Sequence, residues 1–228
     1  MSTAHAIESL RAALACLPGV GPKSAQRMAY YLIERDRVGA RSIASALTHA
    51  LDSIQHCRRC NNLSETEICS LCSSPSRKHS QLCIVETPAD LEAIEQTGSY
   101  KGCYFVLMGT ISPLDGIGPE NLGVDRLLEV LAEFDIEEII LATNLTAEGE
   151  TTAEYLTDLL SARDIAKDIR LTRIARGVPV GGELEYIDRN TVARAIDERR
   201  KYYSDQKITN QNIQLCRLIT IFKLMMIC

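Results

Sequence analysis

Four cysteines fall in two pairs, Cys57 with Cys60 and Cys69 with Cys72, in the pattern C-x2-C-x8-C-x2-C. Each pair can clamp one side of a tetrahedral ion through thiolate sulfur. Zinc suits such a site because it is redox-inert and tolerates a closed shell of four sulfurs. Four thiolates leave no position for an activated water, so the expected role is structural. Arg58, Arg59, Arg77 and Lys78 place positive charge beside the thiolates. The rival reading, four unrelated buried thiols, does not explain the paired spacing. Cys83 and Cys103 fall in predicted strands and read as small core residues. Cys16, Cys216 and Cys228 show no partner in the sequence.

A second group of residues suits phosphate. The segment LPGVGPKSAQR sets Gly19 and Gly21 between two short helical stretches. Glycine can take the positive φ that a tight helix-to-helix turn needs. A glycine-lined turn also lets a phosphate approach backbone N–H groups, where the following helix presents its positive end. Lys23 and Arg27 are four residues apart and share a helix face, which gives a sequence-independent grip on DNA phosphates. The pattern is similar to a helix–hairpin–helix motif, with Leu17, Pro18, Gly19, Val20 and Gly21 as its core. A nucleotide-binding P-loop needs glycine before the lysine and a preceding strand. Pro22 precedes Lys23 here, and a helix precedes the loop. An ordinary helix-to-helix turn remains the plain alternative.

A third group is acidic and incomplete. Glu86 closes the apolar run LCIVE, and Asp90 follows four residues later. The order of strands and acids resembles the Toprim domain of topoisomerases and primases. In that family a glutamate after the first strand and a D-x-D pair after a later one hold magnesium. Here the D-x-D position reads Asn144-Leu145-Thr146, so both aspartates are missing. Magnesium needs hard oxygen ligands in near-octahedral geometry, and two-metal phosphoryl chemistry needs several charged ones. Glu86, Asp90 and Glu148 could hold one weakly bound magnesium, with Glu150 nearby. A magnesium-dependent nuclease or primase-like enzyme is the alternative function, and the missing aspartates argue against it. Equally, these acids could cap helices and solvate the surface.

The elements that must carry these groups follow from periodicity. Leu10, Ala13, Leu14 and Leu17 mark a first helix that ends before Pro18. A second starts near Pro22, a residue suited to a first helical turn, and runs through Met28, Tyr31 and Leu32. A third carries Ile43, Ala46, Leu47, Ala50, Leu51 and Ile54 on one stripe. From residue 82 strands alternate with helices: LCIVE, a helix over Pro88 to Gln96, CYFVLMG, a helix with Leu127, Val130, Leu131 and Phe134, EEIILAT, a helix from near Glu150, and LTRIA. That alternation indicates a mainly parallel sheet covered on both faces. A last helix is expected over roughly 190–203, and 204–228 differs in composition, polar first and apolar last.

The fold expected is therefore α+β and multi-module. It comprises a helical hairpin module over 1–55, a zinc finger over 56–80, an α/β domain over 81–176, a C-terminal helical region over 177–203 and a tail over 204–228. Net charge is -5 over 228 residues, but its distribution is uneven. Residues 1–80 hold 10 Lys and Arg against 6 Asp and Glu, whereas 81–228 hold 15 against 24. A polyanion would bind at the front. The N-terminal sequence lacks the pattern of a secretory signal, and no apolar run approaches the length that spans a bilayer. A cytoplasmic protein with reduced cysteines is expected.

Taken in order, the modules are similar to those of the bacterial RecR recombination mediators. The resemblance rests on LPGVGPKSAQRMAYYL, the four cysteines, CIVETPADLEAIE, ISPLDGIGPENL, ATNLTAEGETTAEYL and RIARGVPVGGELEYID, and covers about residues 7–203. It implies a non-catalytic, nucleoid-associated adaptor that binds gapped, double- or single-stranded DNA and acts with RecO or RecF to load the RecA recombinase. It also implies a ring-like homo-oligomer, usually a tetramer. Arg176, Gly177, Gly181 and Gly182 match the family's Walker-B-like assembly region.

Overall fold

A computed structural model of the chain describes residues 3–163, 169–175 and 177–198. Two compact units are distinguished, Met1–Arg173 and Ile174–Cys228. The first unit begins with three helices, α1 (Thr3–Ala15), α2 (Pro22–Glu34) and α3 (Arg37–Ser53). Pro22 occupies the first turn of α2, as its missing N–H predicts. Ala25 and Ala29 are buried on that helix, small residues that let another helix come close. α3 starts at Asp36, whose carboxylate accepts from the Gly39 N–H. None of its side chains is buried: the stripe Ile43, Leu47 and Leu51 faces outward, with exposures of 59, 60 and 75%.

A small finger follows. Strands β1 (Gln55–His56) and β2 (Leu63–Ser64) pair antiparallel, and the short helix α4 (Ser70–Ser73) carries Cys72. Then comes the alternating part: β3 (Lys78–Val85), α5 (Pro88–Gln96), β4 (Gly102–Val106), α6 (Val124–Glu133), β5 (Glu138–Leu141), α7 (Ala147–Ala162) and β6 (Arg170–Arg173). The four strands of this sheet lie in the order β4-β3-β5-β6, and all neighbours are parallel.

Both faces are covered, which is why the strands read as continuous apolar runs. Leu82, Ile84, Phe105, Ile139 and Leu141 pack with Leu127 and Val130 of α6 and Leu156 and Leu160 of α7. Cys83, Val85, Tyr104 and Val106 pack with Leu91 of α5 on the other side. Burial pushes the Cys83 thiol up to about 12, in keeping with a core residue rather than a nucleophile.

Local boundaries differ from those read in the sequence where polar residues set them. β3 begins at Lys78, four residues before its apolar run. α7 begins at Ala147 rather than near Glu150, because the Thr146 hydroxyl accepts from the Gly149 N–H and starts the helix early. Phe134 caps α6 in extended conformation instead of lying within it.

In the second unit, Gly181 has a φ of 84° and the Gly182 N–H donates to the Pro179 carbonyl at 3.0 Å, closing a tight turn after Gly177. Helix α8 (Arg189–Asp197) follows, capped by the Asp188 carboxylate on the Thr191 N–H. Hydrogen bonding from the Thr191 side chain first, and then from its backbone N–H, holds the Asp188 carboxyl below its usual range. The expected helix end near 203, the tail 204–228, Cys216, Cys228 and Arg176 lie outside the described residues.

Candidate functional site

The four sulfurs converge. Cys57, Cys60, Cys69 and Cys72 are all buried, and their Sγ atoms lie within 4.8 Å of one another. Around a tetrahedral zinc with bonds near ~2.3 Å, sulfurs sit about 3.8 Å apart, and Cys60 and Cys69 stand 3.5 Å apart. The backbone fixes both pairs. Asn61 N–H donates to the Cys57 carbonyl at 2.9 Å and Ser73 N–H to the Cys69 carbonyl at 3.0 Å, so each pair sits in its own tight turn. The Cys69 N–H also donates to the Cys57 sulfur at 3.3 Å, a bond that favours a thiolate there. Crowding splits the thiols. Hydrogen bonds from Cys60, then Cys69 and Cys72, hold Cys57 far below the usual thiol range. The Cys57 side chain is in turn the largest influence driving Cys72 far above it. A divalent cation resolves that conflict by neutralising several thiolates at once.

A residue the sequence reading missed ties this centre to the sheet. Asn61 is buried and has a φ of 59°, a left-handed conformation that asparagine tolerates better than most residues. Its Nδ2 donates to the Val106 carbonyl at 2.7 Å, and its Oδ1 accepts from Arg126 of α6 at 2.8 Å. The Val106 N–H donates to the Cys60 carbonyl at 2.8 Å. The outer edge of β4 is therefore closed by the finger itself. Arg59 adds a second tie, stacking over Phe134 at 5.2 Å, while His79 lies parallel to that ring at 5.3 Å. An asparagine directly after a metal-binding cysteine was the available signal, because that position needs a positive φ.

At the front of the chain, the turn between α1 and α2 is built as expected with one correction. Gly19 takes a φ of 76°, but Gly21 is extended, at φ -77° and ψ 169°, and serves as the N-cap of α2. Only Gly19 needs glycine's backbone freedom. A Cβ at either position would meet nothing within 4 Å. Among the described residues no side chain caps the start of α2, which leaves its first N–H groups open to an outside acceptor. Lys23 and Arg27 are exposed on that helix and have no ion-pair partner among the described residues.

The acidic site is not assembled as a metal centre. Glu86 is buried and both its oxygens are taken by one residue: Asn144 N–H donates to Oε1 at 2.7 Å and Asn144 Nδ2 to Oε2 at 2.5 Å. Asp90 is turned to the helix start, accepting from the Thr87 N–H at 2.9 Å and hydroxyl at 2.6 Å in a capping box. Glu148 lies in the first turn of α7. The expected trio Glu86, Asp90 and Glu148 is not brought together. Among the described residues the four cysteines are the one group of three or more metal-ligating side chains that converge. Arg173, also missed, reaches over the same strand ends to the Thr143 hydroxyl at 2.8 Å and to Glu150 at 2.7 Å. A guanidinium and an amide thus stand where charged ligands for a cation would be needed.

Comparison with known families matches this architecture piece by piece. Residues 7–51 match the RecR helix-hairpin-helix model, and 54–74 match the RecR zinc finger domain, a model built on four cysteines. Residues 80–175 match the Toprim domain, and 177–200 the RecR C-terminal model. The chain belongs to the RecR family. Its modules are those of a DNA-repair and recombination protein. Zinc is the cofactor that the finger holds, since the RecR zinc finger match falls on the same buried four-sulfur cluster. No helix among the described residues is long and apolar enough to cross a membrane.

Proposed function

We propose that this chain is a recombination mediator that grips gapped DNA and, with RecO and RecF, loads RecA onto it, without catalysis of its own. The observation that carries the reading is the start of α2, uncapped and flanked by Gly19 and Gly21, with the exposed cations Lys23 and Arg27 beside it. Such a surface can take a phosphate on backbone N–H groups and hold it with two charges, without reading bases. The basic segment 1–80 and the acidic remainder favour this orientation on a polyanion. A nuclease or primase reading finds no support at Glu86, whose two oxygens are engaged by Asn144.

The exposed stripe Ile43, Leu47 and Leu51 favours self-association, because a monomer gains nothing by holding three large aliphatic side chains in water. The turn with Gly177, Gly181 and Gly182 is the second assembly segment in this reading, and a homotetrameric ring in the bacterial cytoplasm, at the nucleoid, is the form proposed. The test is RecA loading on gapped DNA covered by single-strand binding protein, with RecO and RecF supplied. The chain should restore RecA's DNA-dependent ATP hydrolysis, and Lys23→Glu/Arg27→Glu should abolish that effect. Equal stimulation by both proteins would remove the hairpin from the mechanism.

A further inference from the structure

The two edges of the four-stranded sheet are treated differently. On β4, the outward N–H and C=O of Val106 bond the Cys60 carbonyl and Asn61 Nδ2, and the Gly102 carbonyl accepts from Arg77. On β6, Arg170 N–H donates inward to the Glu137 carbonyl at 2.9 Å. Strand alternation then turns the N–H and C=O groups of Leu171 and Arg173 outward. No strand pairs with them among the described residues.

Beside this open edge lies a groove of about 480 Å3. Leu141, Ala153 and Leu171 supply its apolar lining, and Glu154, Thr157 and Asp158 of α7 form a polar rim. The two arginines of β6 do not set its charge, because Arg170 pairs with Glu138 at 2.8 Å and Arg173 with Glu150 at 2.7 Å. Glu154 and Asp158 are exposed, without an ion pair among the described residues. They stand four helical residues apart, a rise of about 6 Å. Side chains two residues apart on one face of a strand repeat every ~6.6 Å. The acid spacing therefore matches an extended chain with basic residues at alternate positions.

We propose that this groove receives an extended basic segment of a partner protein, which adds to the sheet as a fifth strand against β6. Main-chain hydrogen bonds to Leu171 and Arg173 supply affinity, and Lys or Arg side chains on Glu154 and Asp158 supply specificity. Nucleic acid is repelled by the same carboxylates, so this surface is separate from the hairpin and independent of its reading.

The test uses the full zinc-loaded chain and a fluorescein-labelled octapeptide of alternating Lys and Val. Companion peptides carry N-methyl groups on either alternate set of amides, or Glu in place of Lys. Fluorescence anisotropy gives binding, and hydrogen exchange gives protection at residues 170–173. The proposal expects the Lys peptide to bind and to protect the Leu171 and Arg173 amides. One N-methylated set, the Glu peptide and Glu154→Lys/Asp158→Lys should each weaken binding at least tenfold. Equal binding by both N-methylated peptides would show charge attraction alone and overturn strand addition, whatever the folding of the variant. Absence of binding would overturn it too. So would protection of the edge without peptide that disappears on dilution, which would make it a contact between copies of this chain.

Discussion

Replacing Asn61 should unfasten the zinc finger from the sheet without touching a zinc ligand. Asn61→Ala deletes the 2.7 Å bond to the Val106 carbonyl and the 2.8 Å bond from Arg126. A buried neutral bond is worth about 1 kcal/mol and one to a charged group about 1.5–3. The alanine must also hold the φ of 59°, a conformation that costs an L-residue about 1–2 kcal/mol. Together the loss is about 3.5–6 kcal/mol. Asn61→Gly removes the same two bonds but carries no Cβ into the left-handed conformation, so it should lose about 1 kcal/mol less. Urea unfolding of the zinc-loaded proteins, followed by circular dichroism, measures both, with an unchanged denaturant slope confirming the same folded state. A loss below about 1 kcal/mol in the alanine variant would refute the reasoning, as would a glycine variant less stable than the alanine one.

Three other outcomes are expected. Zinc removal by a strong chelator under reducing conditions should melt the finger and raise hydrogen exchange at Val106, whose edge the finger closes; protection that survives metal removal would count against that role. Asn144→Asp replaces the amide that serves Glu86 with a second carboxylate. It should destabilise the protein by about 2–3 kcal/mol, and millimolar magnesium should restore the melting temperature of this variant while leaving the parent unchanged. Glu95 accepts from Arg77 and from the Tyr104 hydroxyl, and the Arg77 bond first of all holds its carboxyl below the usual range. Its contribution is present above the unfolded carboxylate range and lost as pH falls through the lowered value. Stability should therefore drop as pH falls below about 4.3, and Glu95→Gln should flatten that part of the profile.

Much of this was legible in the sequence because the signals were repeated. The parallel order of strands showed in apolar runs alternating with helices, and the zinc centre in paired cysteines at fixed spacing. What could not be read were contacts between residues far apart in sequence. Asn61 meets Val106 and Arg126 only because the finger lies along β4. Arg173 meets Thr143 only because β6 is hydrogen-bonded beside β5. The acids Glu86, Asp90 and Glu148 looked like one site because they are all acidic and fall near strand ends. In the structure Asn144 donates to both oxygens of Glu86 and a local capping box claims Asp90, so the three do not converge as one ligand group. At the hairpin, two glycines with the same apparent purpose divide into one needed for its φ and one in ordinary extended backbone, where a Cβ would meet nothing within 4 Å.

The most direct test of the central claim is fluorescence anisotropy on gapped duplex DNA across a salt series. It compares the parent with Lys23→Glu/Arg27→Glu, both shown to be folded and zinc-loaded. Binding by the parent that weakens as salt rises, and is lost in the variant, is the predicted result. Equal binding by the two proteins, with the same dependence on salt, would contradict the placement of the DNA grip at the start of α2.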